Sequence, residues 1–261
     1  RVVPGLAERC PEPTMIVSTL LVAAALGQAC PEPPSRYGPP PCAAANVPGL
    51  DAATAEPGGL DVELWGTLNQ GPKKSDPNFW EYQLELETGI TDRWDVALYG
   101  VVVSQSGNTQ FQAVQLETRY RLSQPGEWFV DPVLYLEVRK QFVEDQPWAL
   151  EQKVIVAKDV GRTNVSVNAS AEQEFPSGGG VELEWAYNVA ASYEIHPIVR
   201  LGAETYGSWA RAPWQPYAFT AYAGPSLSLA FWRTWLVVGA GWGLNDASDR
   251  FRARAVLALQ L

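Results

Sequence analysis

The sequence predicts an all-β fold, a closed antiparallel up-and-down transmembrane β-barrel of about twelve strands, preceded by an N-terminal segment that forms no core. Three observations predict it. From Gly59 onward, apolar and polar side chains alternate with a period of two between short turn-forming runs. No stretch of that region carries a helical period. Aromatic residues gather near the ends of the alternating stretches, where amphipathic rings meet a membrane surface.

The N-terminal region differs in kind. Residues 15–29 start at Met15, hold an apolar run, and close on the small-x-small triplet Gly27, Gln28, Ala29. That is the shape of a secretory signal peptide, too short for a membrane anchor. Met15 is therefore read as the true start and the residues before it as an upstream extension. Residues 30–58 are rich in Pro and Ala with hardly an aromatic, so they cannot bury enough surface to fold and are expected to form a disordered tether. The barrel occupies 59–261. Of the cysteines, Cys10 leaves with the signal. Cys30 and Cys42 either close a small loop as a disulfide in an oxidising compartment, or Cys30 carries a lipid anchor.

Composition narrows the function classes. The 261 residues carry a formal net charge of -10. That balance repels phosphate backbones, and no Lys/Arg patch offsets it, so nucleic acid is excluded as a partner. After the signal no run of apolar residues is long enough for a helical span. A barrel strand needs no such run, because half of it is polar.

The strands follow in order. The first sets Leu60, Val62, Leu64 and Leu68 against Asp61, Glu63, Trp65, Thr67 and Asn69. The second sets Trp80, Tyr82, Leu84 and Leu86 against Glu81, Gln83, Glu85 and Glu87; one face wants oil and the other water. In the third, Trp94, Val96, Leu98 and Val102 oppose Asp95, Ala97 and Tyr99. In the fourth, Val114, Leu116, Thr118, Tyr120 and Leu122 oppose Gln115, Glu117, Arg119 and Arg121. The fifth and sixth turn Val130, Leu134, Leu136, Val138, Leu150, Val154 and Val156 outward and Tyr135, Glu137, Arg139, Glu151, Lys153 and Ala157 inward.

Strand seven presents Val165, Val167, Ala169 and Ala171 opposite Ser166, Asn168, Ser170, Glu172 and Glu174. After a Pro-Ser-Gly-Gly-Gly turn, strand eight presents Val181, Leu183, Trp185, Tyr187 and Val189 opposite Glu182, Glu184, Ala186 and Asn188. Strand nine sets Val199, Leu201 and Ala203 against Arg200 and Glu204. Strand ten sets Phe219, Ala221, Ala223, Leu227 and Leu229 against Thr220, Tyr222, Ser226 and Ser228. Its Pro225 is expected at a bulge, with Gly224, because an interior strand proline lacks a ladder donor. Strand eleven, 235–244, is apolar on both faces. Strand twelve sets Phe251, Ala253, Ala255, Leu257, Leu259 and Leu261 against Arg252, Arg254 and Gln260. Trp80, Trp94, Tyr120, Trp128, Trp148, Phe231 and Trp232 are the expected aromatic girdle.

A soluble barrel would turn its apolar rows inward. Twelve strands, however, enclose more space than a dry core fills, whereas a watery lumen lined by Glu, Arg, Asn and Ser needs no filling. The phrases carrying residues 86–98, 120–128 and 131–137, strand-turn-strand signatures such as Leu-Glu-Thr-Gly-Ile-Thr-Asp-Arg-Trp, resemble bacterial outer-membrane barrel proteins of the porin-like kind. The resemblance covers the region from Gly59 and implies fold and outer-membrane location, with the tether in the periplasm, and no substrate. The C-terminal Leu261 departs from the aromatic residue that ends many such barrels. With both barrel ends in the periplasm, 89–93, 122–127, 158–163, 194–197 and 230–232 are periplasmic turns, and 70–79, 105–110, 142–147, 175–180, 207–215 and 245–250 outer loops.

The functional expectation is a narrow passive channel for small solutes or ions with a mild cation preference, with outer-membrane lipid as its surroundings and no cofactor. Glu172, Glu174, Glu182 and Glu184 are expected as an acidic mouth whose mutual repulsion favours a bound cation. Glu81, Glu85, Glu87, Glu117, Arg119, Arg121, Glu137, Arg139, Glu151, Arg252 and Arg254 are expected to line the lumen, and Arg–carboxylate pairs across it would instead close it. The alternatives are a non-conducting structural or interaction barrel and, further off, a barrel-embedded lipid hydrolase. For the last, the single histidine, His196, sits in a Tyr-Glu-Ile-His-Pro turn without the Ser spacing such enzymes use, and one His with stray cysteines builds no zinc site.

Overall fold

In water or lipid alike, a sheet whose strands have a greasy and a polar face is stable only if both faces and both edges are dealt with, and closure removes the edges. The computed structural model describes residues 55–142, 148–211 and 218–261. The expected signal, most of the expected tether, all three cysteines and parts of two of the loops expected on the outer side lie outside these residues. Twelve antiparallel strands follow one another around a closed barrel: β1 (Leu60–Gln70), β2 (Asn78–Thr91), β3 (Trp94–Gln105), β4 (Asn108–Arg121), β5 (Asp131–Gln141), β6 (Trp148–Val160), β7 (Thr163–Phe175), β8 (Glu182–His196), β9 (Val199–Arg211), β10 (Ala218–Phe231), β11 (Thr234–Gly243) and β12 (Phe251–Gln260). Each pairs with its sequence neighbours, and β12 returns to β1, with Leu64 opposite Leu257 and Gln70 opposite Phe251.

The alternation resolves as the sequence demands. Leu64, Leu84, Leu98, Leu116, Leu134, Val154, Leu201 and Leu257 face outward and stay exposed, while Glu85, Asp95, Glu117, Arg119, Ser166 and Asn188 face inward and are buried. Around the outside, exposed aromatics form two bands. Trp94, Tyr120, Trp128, Phe231 and Trp232 mark the end that holds the start of β1 and the end of β12; Trp80, Phe111, Trp148, Trp185, Trp209 and Trp242 mark the other. Between them lies an aliphatic belt. A face this apolar and this continuous is stable against lipid tails and not against water.

Turn lengths are unequal. At the terminus end, 92–93, 161–162, 197–198 and 232–233 are tight, and only 122–130 is longer, held by Gly126 N donating to Asp131 Oδ1 at 2.6 Å and Gln124 N to Glu127 Oε2 at 2.8 Å. The other end carries 71–77, 176–181 and 244–250. One loop expected there is a two-residue hairpin, Ser106 and Gly107, both at positive φ as a tight β-hairpin requires.

One expectation changes. Pro225 sits at no bulge: β10 keeps one register against β9 through Gly224 and Pro225, and against β11 the same register resumes at Ser226 opposite Gly239. Pro225 is exposed on the outer face, and the ladder to β11 skips the positions where it offers no donor. Strand β11 is apolar on both faces, as expected, with Val237 buried inside and Val238 exposed outside.

The orientation of the faces makes a prediction. Leu116→Arg, at the middle of β4's outer face, should cost about 2–4 kcal/mol of barrel stability, read as a lower midpoint for folding into lipid vesicles. An equal loss from an inward Ser166→Thr substitution, which changes one methyl, would contradict it.

Candidate functional site

The site is the inner wall, and pairing register builds it. Asp61 stands opposite Glu87, Glu87 opposite Ala97, Ala97 opposite Glu117, Glu117 opposite Glu137, Glu137 opposite Glu151, Glu151 opposite Glu172, and Glu172 opposite Glu184. All face inward. Barrel strands tilt, so a row running across them climbs as it goes round. It begins one residue inside the start of β1 at the terminus end and finishes two residues inside the start of β8 at the other. An acidic staircase therefore joins the two mouths.

Like charges opposed on one ladder repel, so the staircase needs counter-charges and donors. Arg119 supplies the first: its guanidinium binds Glu87, and its Nε lies 3.2 Å from Asp95 Oδ1 and 3.3 Å from Glu117 Oε1. Tyr99 donates to Glu117; Tyr135 donates to Glu137 at 2.6 Å and Gln115 to the same carboxylate at 3.0 Å. Lys153 lies 3.4 Å from Glu151 and 3.9 Å above the Tyr135 ring. Trp65 Nε1 donates to Glu85 at 2.9 Å, and Gln83 to Glu81 at 2.9 Å. The groups around Arg119 are close to water-inaccessible: Asp95 is 0% exposed, Glu117 1% and Arg119 4%. The lumen expected to be watery is filled at this level by its own charged side chains, with small apolar clusters of Trp65, Val237 and Val256 and of Val133, Tyr135 and Ile155 beside them.

Opposite this wall the inner face of β9 to β12 mixes small residues with aromatic and basic ones. Gly241 leaves room for Tyr206, which a Cβ there would strike, and a Cβ at Gly202 would meet Ser226 Oγ. Tyr206 stacks on Tyr222 at 5.0 Å, and Arg252 lies 4.3 Å over Tyr222 and 3.1 Å from Asp249. Arg254 reaches Thr67 at 3.3 Å, and Arg121 is buried at the terminus end of β4.

At the far mouth the register brings Glu172 opposite Glu184 and Glu174 opposite Glu182. Arg139 intervenes: it binds Glu172 and lies 3.7 Å from Glu174, while Gln141 donates to Glu174 at 3.5 Å. Among the described residues no group of three or more His, Cys, Asp or Glu is placed to hold a metal ion. Below this cluster Gln83, Gln112, Gln115, Arg139, Glu172 and Glu174, among others, line a cavity of about 280 Å³. Gln112 comes from a bulge: Val101 pairs with Ala113 and Val102 with Phe111, so Gln112 is the extra residue. Two consecutive side chains, Gln112 and Ala113, thus line the cavity while Phe111 returns outward. Sequence alternation hid this, since a bulge leaves no mark on composition.

The terminus mouth carries a strap that sequence reasoning assigned to the tether. Ala55 N donates to Glu87 Oε1 and Asp95 Oδ2, both at 3.2 Å; Gly58 N donates to Gly89 O at 2.9 Å; and Thr88 Oγ1 donates to Gly59 O at 2.7 Å. Gly89 makes this possible, because a Cβ there would overlap the Ala55 and Glu56 carbonyls. His196 lies at the end of β8, exposed, where its Nδ1 accepts from Ile198 N at 3.4 Å and caps the turn.

Two outcomes test this geometry. Arg119→Leu strips the counter-charge from buried carboxylates and should cost about 3–5 kcal/mol, seen as loss of the heat-modifiable folded species at lower temperature. Gly89→Val should expel the strap, so that the Gly58 amide exchanges with solvent at least about tenfold faster while β-sheet amides hold; unchanged exchange would mean the strap is not pinned there.

Neither a protein-family model nor a curated protein matches this sequence. Solved structures do match by fold. An outer membrane channel from Pseudomonas putida F1 aligns with a TM-score of 0.58 at 14% identity, over 82% of this chain and 99% of that one. The KdgM porin aligns at 0.53 and 8% identity, over 76% and 98%. The translocator domain of the autotransporter NalP from Neisseria meningitidis aligns at 0.50 and 7%, over 77% and 87%. Architecture, girdled exterior and these neighbours agree on one conclusion: the chain has the fold of a bacterial outer-membrane β-barrel.

Proposed function

We propose that the chain is an integral barrel of the bacterial outer membrane and acts as a narrow passive channel for small solutes or ions, with a mild preference for cations. The observation that carries this reading is the mouth-to-mouth row of seven inward carboxylates, from Asp61 to Glu184, with Arg119, Lys153 and Arg139 threaded through it. A wall of one sign lowers the barrier for ions of the other. Narrowness follows from the burial of its middle: a solute must displace or thread between packed polar side chains. The likeness of fold to an outer membrane channel and to a porin supports a conducting role without naming a solute.

A second reading has its own support. The same burial of Asp95, Glu117 and Arg119, with the strap pinned to β2 and β3 at the terminus mouth, favours a non-conducting barrel that serves as a structural or interaction module.

Planar bilayers separate the two. The channel reading expects small unitary currents and a K⁺ over Cl⁻ permeability ratio on the order of two to five, falling toward one in Glu137→Gln/Glu151→Gln. Folded, inserted protein that passes no current supports the second reading, and a ratio below one removes the cation preference.

A further inference from the structure

Glu87, Gly89 and Asp95 share the inner face of β2 and β3: Gly89 stands opposite Asp95, and both carboxylates are buried. A Cβ on Gly89 would therefore point into the bore, and there it would overlap the Ala55 and Glu56 carbonyls. The strap thus lies inside the rim. Traced backwards from β1, the chain does not leave the barrel. It doubles back through a turn in which Gly59 N donates to Glu56 O at 2.9 Å, and lies along the inner wall, with Pro57 and Gly89 forming a parallel bridge. Ala55, only 8% exposed, stands among lumen groups.

We propose that the strap, residues 55–59, is an autoinhibitory latch. Seated, it covers Glu87 of the acidic row and Asp95 beside it and takes up part of the terminus mouth; released, it leaves both carboxylates facing the water of that mouth. Its contacts suit a reversible element. Ala55 N donates to the two carboxylates, Gly58 N to Gly89 O and the Thr88 hydroxyl to Gly59 O, whereas β1 makes ten consecutive residue pairs with β12 alone. Both carboxylates also bind Arg119, so each keeps a counter-charge when the strap departs. Gly58, at a left-handed φ of 74°, provides the bend that turns the chain inward. A hold of a few backbone hydrogen bonds leaves the balance of seated and released barrels within reach of one substitution.

The latch rests on the channel reading and adds a control to it: the fraction of barrels that pass ions follows the fraction whose strap is released. Two substitutions in the full-length chain release the strap from opposite sides. Gly58→Pro removes the N–H that Gly89 O accepts and forbids the left-handed φ, and it lies outside the barrel strands. Gly89→Val fills the space in which the strap lies. In lipid vesicles holding equal amounts of heat-modifiable, folded barrel, each variant should raise K⁺ efflux about tenfold over the unsubstituted protein, the shift that losing one or two backbone hydrogen bonds gives a two-state equilibrium. Gly58→Pro decides alone if Gly89→Val does not fold. Efflux through the unsubstituted barrel that Gly58→Pro leaves equal or lowers would overturn the latch and leave the channel standing. No efflux from the unsubstituted protein or from Gly58→Pro would sink the channel reading and the latch together.

Discussion

The constraint on which everything else depends is that no backbone group may be left unpaired where lipid surrounds the chain. A single open edge in a sheet of this length would expose a row of N–H and C=O groups to hydrocarbon, each costing several kcal/mol. The return of β12 to β1, ten consecutive residue pairs from Asp61 opposite Gln260 to Gln70 opposite Phe251, is therefore the contact that licenses the rest. Once the ladder is closed, the period of two dictates that one face of every strand meets lipid and the other meets the lumen. Pro225 shows how little slack the rule leaves: its missing donor is tolerated on the exposed outer face with the register intact on both sides.

Closure in turn creates the electrostatic problem inside. A tilted cylinder converts a list of inward acidic residues into a climbing row, and a row of neighbouring carboxylates is unstable unless counter-charges are threaded through it. Arg119 sits between three carboxylates drawn from three strands, Glu87, Asp95 and Glu117, so it ties β2, β3 and β4 together from within. Arg139 does the same across β5 and β7. The Arg119 pairs lie in a setting where water scarcely reaches, where desolvation is expensive and a lost partner costs more than a surface pair returns. The wall facing them interleaves Gly and Ser with Tyr206, Tyr222, Arg252 and Arg254, and Gly241 lacks a side chain where the Tyr206 ring lies against it.

Irregularities cluster where the lumen ends. The bulge at Gln112 lies at one mouth; Gly89, whose lack of a side chain admits the strap, lies at the other. A perfectly regular barrel would offer an even polar bore. Departures from regularity give each mouth a shape of its own, a cavity at the far end and a pinned segment at the near end.

The sequence alone determined which side chains share a face, because alternation is a local property of an extended chain and survives any arrangement of strands. The acidic character of the inward face, the outward Leu and Val rows, the aromatic bands and the strand count were all legible for that reason. What only the tertiary structure decided was which inward residues stand side by side. Glu117, Glu137, Glu151, Glu172 and Glu184 belong to five strands and are separated by turns of unequal length, so their alignment depends on register, a sum over every turn and bulge between them. The Gln112 bulge and the Ala55 strap were hidden for the same reason: a one-residue offset and a backbone amide meeting two distant carboxylates carry no pattern in the linear chain, and exist only once the cylinder has closed.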